Sequence, residues 1–172
     1  MEENMAGAPQ GENNGVPKQE EMKKDVMGVV AQVEAFLDEY MVTKAPFQIP
    51  MNGKEILVKI APYLVIIGAV LFALSLPALL GLGALTAGLG MMGGSWGYTV
   101  LVSLIAGAVS VVLELKALSG LFKRTQASWR LVYYATLVSF VGSVLSFNFI
   151  GAVIGGVIGW YILFQVKELY KN

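Results

Sequence analysis

The sequence predicts an all-α integral membrane protein: a four-helix bundle built from two helical hairpins, preceded by an N-terminal cytoplasmic amphipathic helix. Three observations predict it. Of the 172 residues, 56% are apolar and only 14% are charged, where a soluble domain carries about 25% charged residues. The charges are also segregated, with none from Ile60 to Leu113 and none from Leu131 to Val166. A bilayer span needs about 20 apolar residues, so each silent run holds one helix and most or all of a second. Finally, Lys and Arg cluster before the first run, between the two runs and after the second.

Residues 1–20 are rich in Glu, Asn, Gly, Pro and Gln. Such a segment cannot bury enough apolar surface to offset its ordering entropy, so a disordered tail is expected. From residue 21 the pattern changes. Met22, Val26, Val29, Val33, Phe36 and Tyr40 alternate in steps of three and four, widened by Val30, Leu37 and Met41. They form one face of an amphipathic helix over residues 21–42, with Glu21, Lys24, Asp25, Gln32 and Asp38 opposite. This helix can dock on the protein's own cytoplasmic face, pair with another helix, or lie on lipid. Its net acidic character argues against the last, because surface-bound helices usually carry Lys and Arg.

Pro46, Pro50 and Gly53 make residues 43–53 a linker. Asn52 followed by Glu55 resembles a capping box that opens the next helix. Residues 54–172 form the membrane domain. A short interfacial helix over 54–61 leads into a first span at about 62–80, which Pro77 should kink. Residues 81–97 contain Gly81, Gly83, Gly88, Gly90, Gly93, Gly94 and Gly97 and no charge. They are expected as an apolar external loop, with a re-entrant segment as the alternative. Trp96 and Tyr98 mark the outer interface. The second span covers about 98–118, followed by a turn with Lys123, Arg124 and Arg130 and an interfacial Trp129. The third covers about 131–147, Asn148 marks a tight turn, and the fourth covers about 149–166.

Orientation follows from the basic residues. Lys54 and Lys59 precede the first span, Lys123, Arg124 and Arg130 fill the central turn, and Lys167 and Lys171 follow the last span. Cytoplasmic loops are enriched in Lys and Arg, which places both termini inside and the protein in the inner (cytoplasmic) membrane. The N-terminus lacks the basic start and apolar core of a signal peptide, so the first span should drive insertion.

Gly151, Gly155 and Gly159 recur every fourth residue in the fourth span. Small residues on one stripe let helix backbones approach closely in lipid. Ala135, Ser139 and Ser143 form a matching stripe in the third span, extended by Gly142 and Ser146. The economical expectation pairs these two stripes within the hairpin. The alternative turns the glycine stripe toward a second copy. Ala106 with Ser110, and Ser103 with Gly107, give the second span a weaker version.

Glu114 is the only acidic residue inside a span. It lies about 16 residues beyond Tyr98, roughly 24 Å along the axis at 1.5 Å per residue, near the cytoplasmic interface. Intramembrane carboxylates are candidates for ion or proton sites. A structural role is the stronger expectation: pairing with Arg130 or Lys59, while Lys116 reaches back to the interface.

The chain has no cysteine and no histidine. Thiol chemistry, histidine-based acid–base catalysis and the usual metal ligands are excluded, and no cofactor is expected. The scattered basic residues do not suit nucleic acid.

The segments Phe36-Leu37-Asp38-Glu39-Tyr40, Lys44-Ala45-Pro46-Phe47, Lys59-Ile60-Ala61-Pro62, Gly120-Leu121-Phe122-Lys123-Arg124, Ser128-Trp129-Arg130 and Tyr161-Ile162-Leu163-Phe164-Gln165-Val166 carry a resemblance. Together they resemble small uncharacterised bacterial four-span membrane proteins. That resemblance implies a fold and no activity. The function expected is therefore non-enzymatic, structural or partner-binding, with the bilayer and a second copy or a membrane-protein partner as its contacts. The alternative is a small oligomeric transporter or channel for an ion or small solute, using Glu114 and the glycine-rich segment.

Overall fold

A computed structural model describes residues 16–88 and 95–171. Among the described residues every regular element is helical. The chain divides into two units, one ending at Leu37 and the other running from Asp38 onward.

The first unit is a single helix, α1 (Val16–Asp38), whose last residue opens the second unit. It begins earlier than the tail expected over 1–20 allows. Pro17 sits in its first turn, where a missing N–H breaks no helical bond. Residues 1–15 lie outside the described residues. On its apolar stripe Met22, Val26 and Val29 stand exposed.

The second unit opens on a π-helical turn (Glu39–Thr43), closed by the Lys44 N–H donating to the Glu39 carbonyl at 2.9 Å. The linker then reaches α2 (Met51–Gly88), a single helix of 38 residues. The separate interfacial helix expected over 54–61 does not exist. Helix α2 starts at Met51 rather than at an Asn52 cap, with the Lys54 N–H donating to the Pro50 carbonyl at 3.0 Å. Pro62 and Pro77 lie inside it without ending it. Near Pro77 the Ser75 hydroxyl donates to the Phe72 carbonyl at 2.7 Å, one turn back on the same helix. The glycine-rich loop expected over 81–97 shrinks, because α2 continues to Gly88 and α3 (Ser95–Phe122) starts at Ser95. Residues 89–94 and the Trp96 side chain lie outside the described residues, so the re-entrant alternative falls there too.

Helix α3 turns into α4 (Gln126–Leu145) through a tight corner. Arg124 takes a left-handed φ of 55°, and Thr125 caps α4 by accepting from the Ser128 N–H at 3.4 Å. Gly120 is required here, since a Cβ would come within 2.5 Å of Thr125 Oγ1. Helix α5 (Phe149–Gln165) follows a second corner, with Phe147 at φ 57° and Asn148 Oδ1 accepting from the Gly151 N–H at 3.0 Å. A 3₁₀ turn (Lys167–Leu169) ends the fold.

Two helices, α2 over Met51–Leu82 and α3 over Gly97–Phe122, are long and apolar enough to cross a membrane, while α5 is a shorter apolar helix. The described residues are thus helical with two candidate spans, which supports association with a membrane.

The closest helix packing departs from expectation. The stripe on α4 bonds to α3, while Ser139 and Ser143 also border a gap toward α5. The Ser110 hydroxyl donates to the Ala135 carbonyl at 3.1 Å, Ser139 donates to Ser110 Oγ at 2.8 Å, and Ser103 and Ser146 share a bond of 3.0 Å. A Cβ on Gly142 would collide with the Ala106 methyl. The stripe that looked weaker in sequence is therefore the one in use, because its serines find hydroxyl and carbonyl partners that glycines cannot supply.

Candidate functional site

The built part of the second unit is the end where its basic residues gather. Trp129, Tyr133 and Phe164 form its core. Trp129 stacks on Tyr133 with centroids 5.7 Å apart, and Phe164 stands edge-on to Trp129 at 5.3 Å. The Trp129 indole donates to the Leu163 carbonyl at 2.8 Å. Trp129 is buried rather than interfacial, because this carbonyl satisfies the polar edge that would otherwise seek water. Lys167 lies over the same ring, 5.0 Å from its centroid, and pairs with Asp38 at 3.3 Å.

Against this core the last turn of α5 holds the linker. Gln165 is 1% exposed, and its Nε2 donates to the Met41 carbonyl at 2.9 Å while its Oε1 accepts from the Ile49 N–H at 3.4 Å. These two partners fix which way the amide faces. The Tyr161 hydroxyl donates to the Phe47 carbonyl. Lys54, on the first turn of α2, reaches across to Glu168 at 2.7 Å. The start of α2 and the end of α5 therefore sit at one end of the unit, with the α3–α4 corner beside them.

That end carries an open cavity of about 490 Å³ lined by residues from all of these elements, among them Asp38, Lys54, Gln126, Gln165, Tyr170 and Lys171. Burial pushes the Tyr170 phenol above its ordinary value, opposed by the nearby Arg124 guanidinium.

The residues singled out from sequence do not converge. Glu114 is half-buried, and no ion pair to it occurs among the described residues. Lys59 pairs instead with Glu55, one turn away at 3.8 Å, and Lys116 and Arg130 are exposed. Glu114 lines neither this cavity nor the smaller one between α4 and α5.

The glycine stripe is only partly engaged. Gly151 serves the α5 cap, where a Cβ would meet the Asn148 side chain at 2.5 Å. Gly155 and Gly159 have nothing within 4 Å of a Cβ position. Between the helices lies a gap of about 140 Å³ bordered by Ser139, Ser143, Gly151 and Gly155. It is the neighbouring Gly156 that takes the close approach, with Phe140 at 2.9 Å.

Gln165 and Lys54 escaped sequence reasoning. The available signal was a lone amide one residue inside the end of a charge-free run. Comparison with family models, with curated proteins and with solved structures finds no match.

Proposed function

We propose that this chain is a non-enzymatic, four-span membrane protein that works by helix packing, its α5 glycine face receiving a helix from a second copy or a membrane-protein partner. The observation that carries this reading is the open space at Gly155 and Gly159. Ile154 and Ile158 stand exposed along one edge of that stripe, so the glycines form a shallow groove bordered by apolar side chains. In hydrocarbon such a groove gains from van der Waals contact with another helix, where lipid tails pack less closely.

The four-span count draws support from lengths and from the basic end. Helix α4 has 20 residues and α5 has 17; at 1.5 Å per residue these reach about 30 and 25 Å, against a hydrocarbon core of about 30 Å. The Lys54–Glu168 pair suits an even number of crossings between those residues. With the basic residues at that end, the termini are cytoplasmic.

The test is Gly155→Leu. Because nothing in the fold occupies that space, the variant should keep its helicity and melting temperature while shifting from oligomer to monomer in detergent light scattering. An unchanged oligomer, or a native chain that stays monomeric in lipid nanodiscs and under cross-linking in membranes, refutes the reading.

One observation favours a second reading, transport of an ion or small solute. Glu114 is a half-buried carboxylate in a candidate span with no ion pair among the described residues. On that reading Glu114→Gln abolishes ion flux into liposomes, and full flux in the variant sinks it.

A further inference from the structure

The geometry points to the cavity at the basic end as a binding site for a phosphate-bearing anion. Three lysines and two carboxylates line it: Lys54, Lys167, Lys171, Asp38 and Glu168. Both carboxylates are already engaged, Glu168 by Lys54 at 2.7 Å and Asp38 by Lys167 at 3.3 Å. Lys171 remains as positive charge with no ion pair among the described residues, and the Arg124 guanidinium adds to the same field through its effect on Tyr170.

Donor capacity at the cavity wall points the same way. Lys54 is 9% exposed, and an ammonium carries three N–H donors. Glu168 is the one acceptor it meets among the described residues. Gln165 is 1% exposed, and only one of its two amide hydrogens is taken, by the Met41 carbonyl. Two nearly buried side chains thus bring unfilled donors to the wall of one cavity. The complementary occupant is rich in acceptors, carries negative charge and has no donors to waste, which describes a phosphate group. At about 490 Å³ the cavity has room for more than the phosphate itself, and Phe164 and Val42 give it an apolar floor for the carbon that bears it. A lipid headgroup and a soluble phosphoester share this chemistry. The inference does not rest on the α5 glycine face.

The experiment uses the full chain in maltoside micelles in phosphate-free buffer. Glycerol 3-phosphate is titrated in one arm, and phosphatidylglycerol is doped into the micelles in the other. Diacylglycerol, with no phosphate, is the control. Saturable binding in either arm, absent for diacylglycerol, is the expected result, and the arm that binds more tightly names the source. Lys171→Glu, at an exposed position, should weaken that binding by about tenfold, the usual loss when one charged hydrogen bond is removed. Lys54→Gln should weaken it further. No binding in either arm overturns the proposal. So does binding that is indifferent to the phosphate, or that Lys171→Glu leaves unchanged, because the anion would then sit elsewhere or only water would fill the cavity.

Discussion

Gln165→Met should release the linker without unfolding the bundle. Methionine keeps the length and apolar stem of the glutamine but offers neither donor nor acceptor of comparable strength. Two backbone groups lose their partner, the Met41 carbonyl at 2.9 Å and the Ile49 N–H at 3.4 Å. The first bond contributes about 1 kcal/mol and the longer second one less. Both residues are half-buried, so water recovers part of the desolvation cost when they are freed. The expected local destabilisation is therefore about 1–2 kcal/mol, raising the open population of the linker roughly 5–30-fold. Hydrogen exchange reads this at the Lys44 amide, which bonds to the Glu39 carbonyl and not to Gln165. Its protection should fall by that factor, while amides in the middle of α4 keep theirs. Unchanged protection at Lys44 would show that Gln165 does not hold the π-helical turn. Equal loss in α4 would show that the linker and the bundle open as one unit.

Other outcomes follow from the same geometry. Gly142→Leu should cost about 1–3 kcal/mol or more by forcing α3 and α4 apart, seen as a lower melting temperature in detergent, in contrast to the tolerated Gly155→Leu. Trp129→Ala should cost about 3–5 kcal/mol, and Trp129→Phe about 1 kcal/mol for the lost bond to Leu163, both read by thermal unfolding. Phe147→Gly should stabilise by about 0.5–1 kcal/mol, because glycine accepts the left-handed φ of 57° without a Cβ penalty. Tyr170, whose folded value is raised by burial above 10.0, contributes stability that is complete below that pH. The contribution is lost as pH climbs from the unfolded toward the folded value, since the unfolded chain releases the phenolic proton first. Tyr170→Phe should remove that alkaline decline from a melting-temperature profile.

The helices themselves were legible, because charge-free runs and corner residues speak through composition. Asn148 and the 123–125 corner announce α5 and α4 by local bonds of a few residues. Helix α2 was not legible as one element, since the sequence divides it at Pro62, kinks it at Pro77 and ends the span near residue 80. Both prolines are carried within a helix of 38 residues that continues on either side of them. The bonds of the α4 stripe to α3 were hidden for a different reason. Glycine spacing reports only that close approach is permitted, whereas serines at 103, 110, 139 and 146 report which partner supplies hydrogen bonds. The polar knot at the basic end was hidden because Gln165 and Lys54 are separated by more than a hundred positions, and nothing local couples them.

That separation has a consequence for how the molecule is made. Ile49 waits for an acceptor that emerges 116 residues later. At synthesis rates of roughly 5–20 residues per second the delay is on the order of 6–23 s. Throughout that interval the linker ahead of α2 has no anchor, and it is exposed to proteases and chaperones. The final turn of α5 therefore acts as a latch that shuts last, and damage to a handful of residues near position 165 would be felt at the opposite end of the bundle's chain.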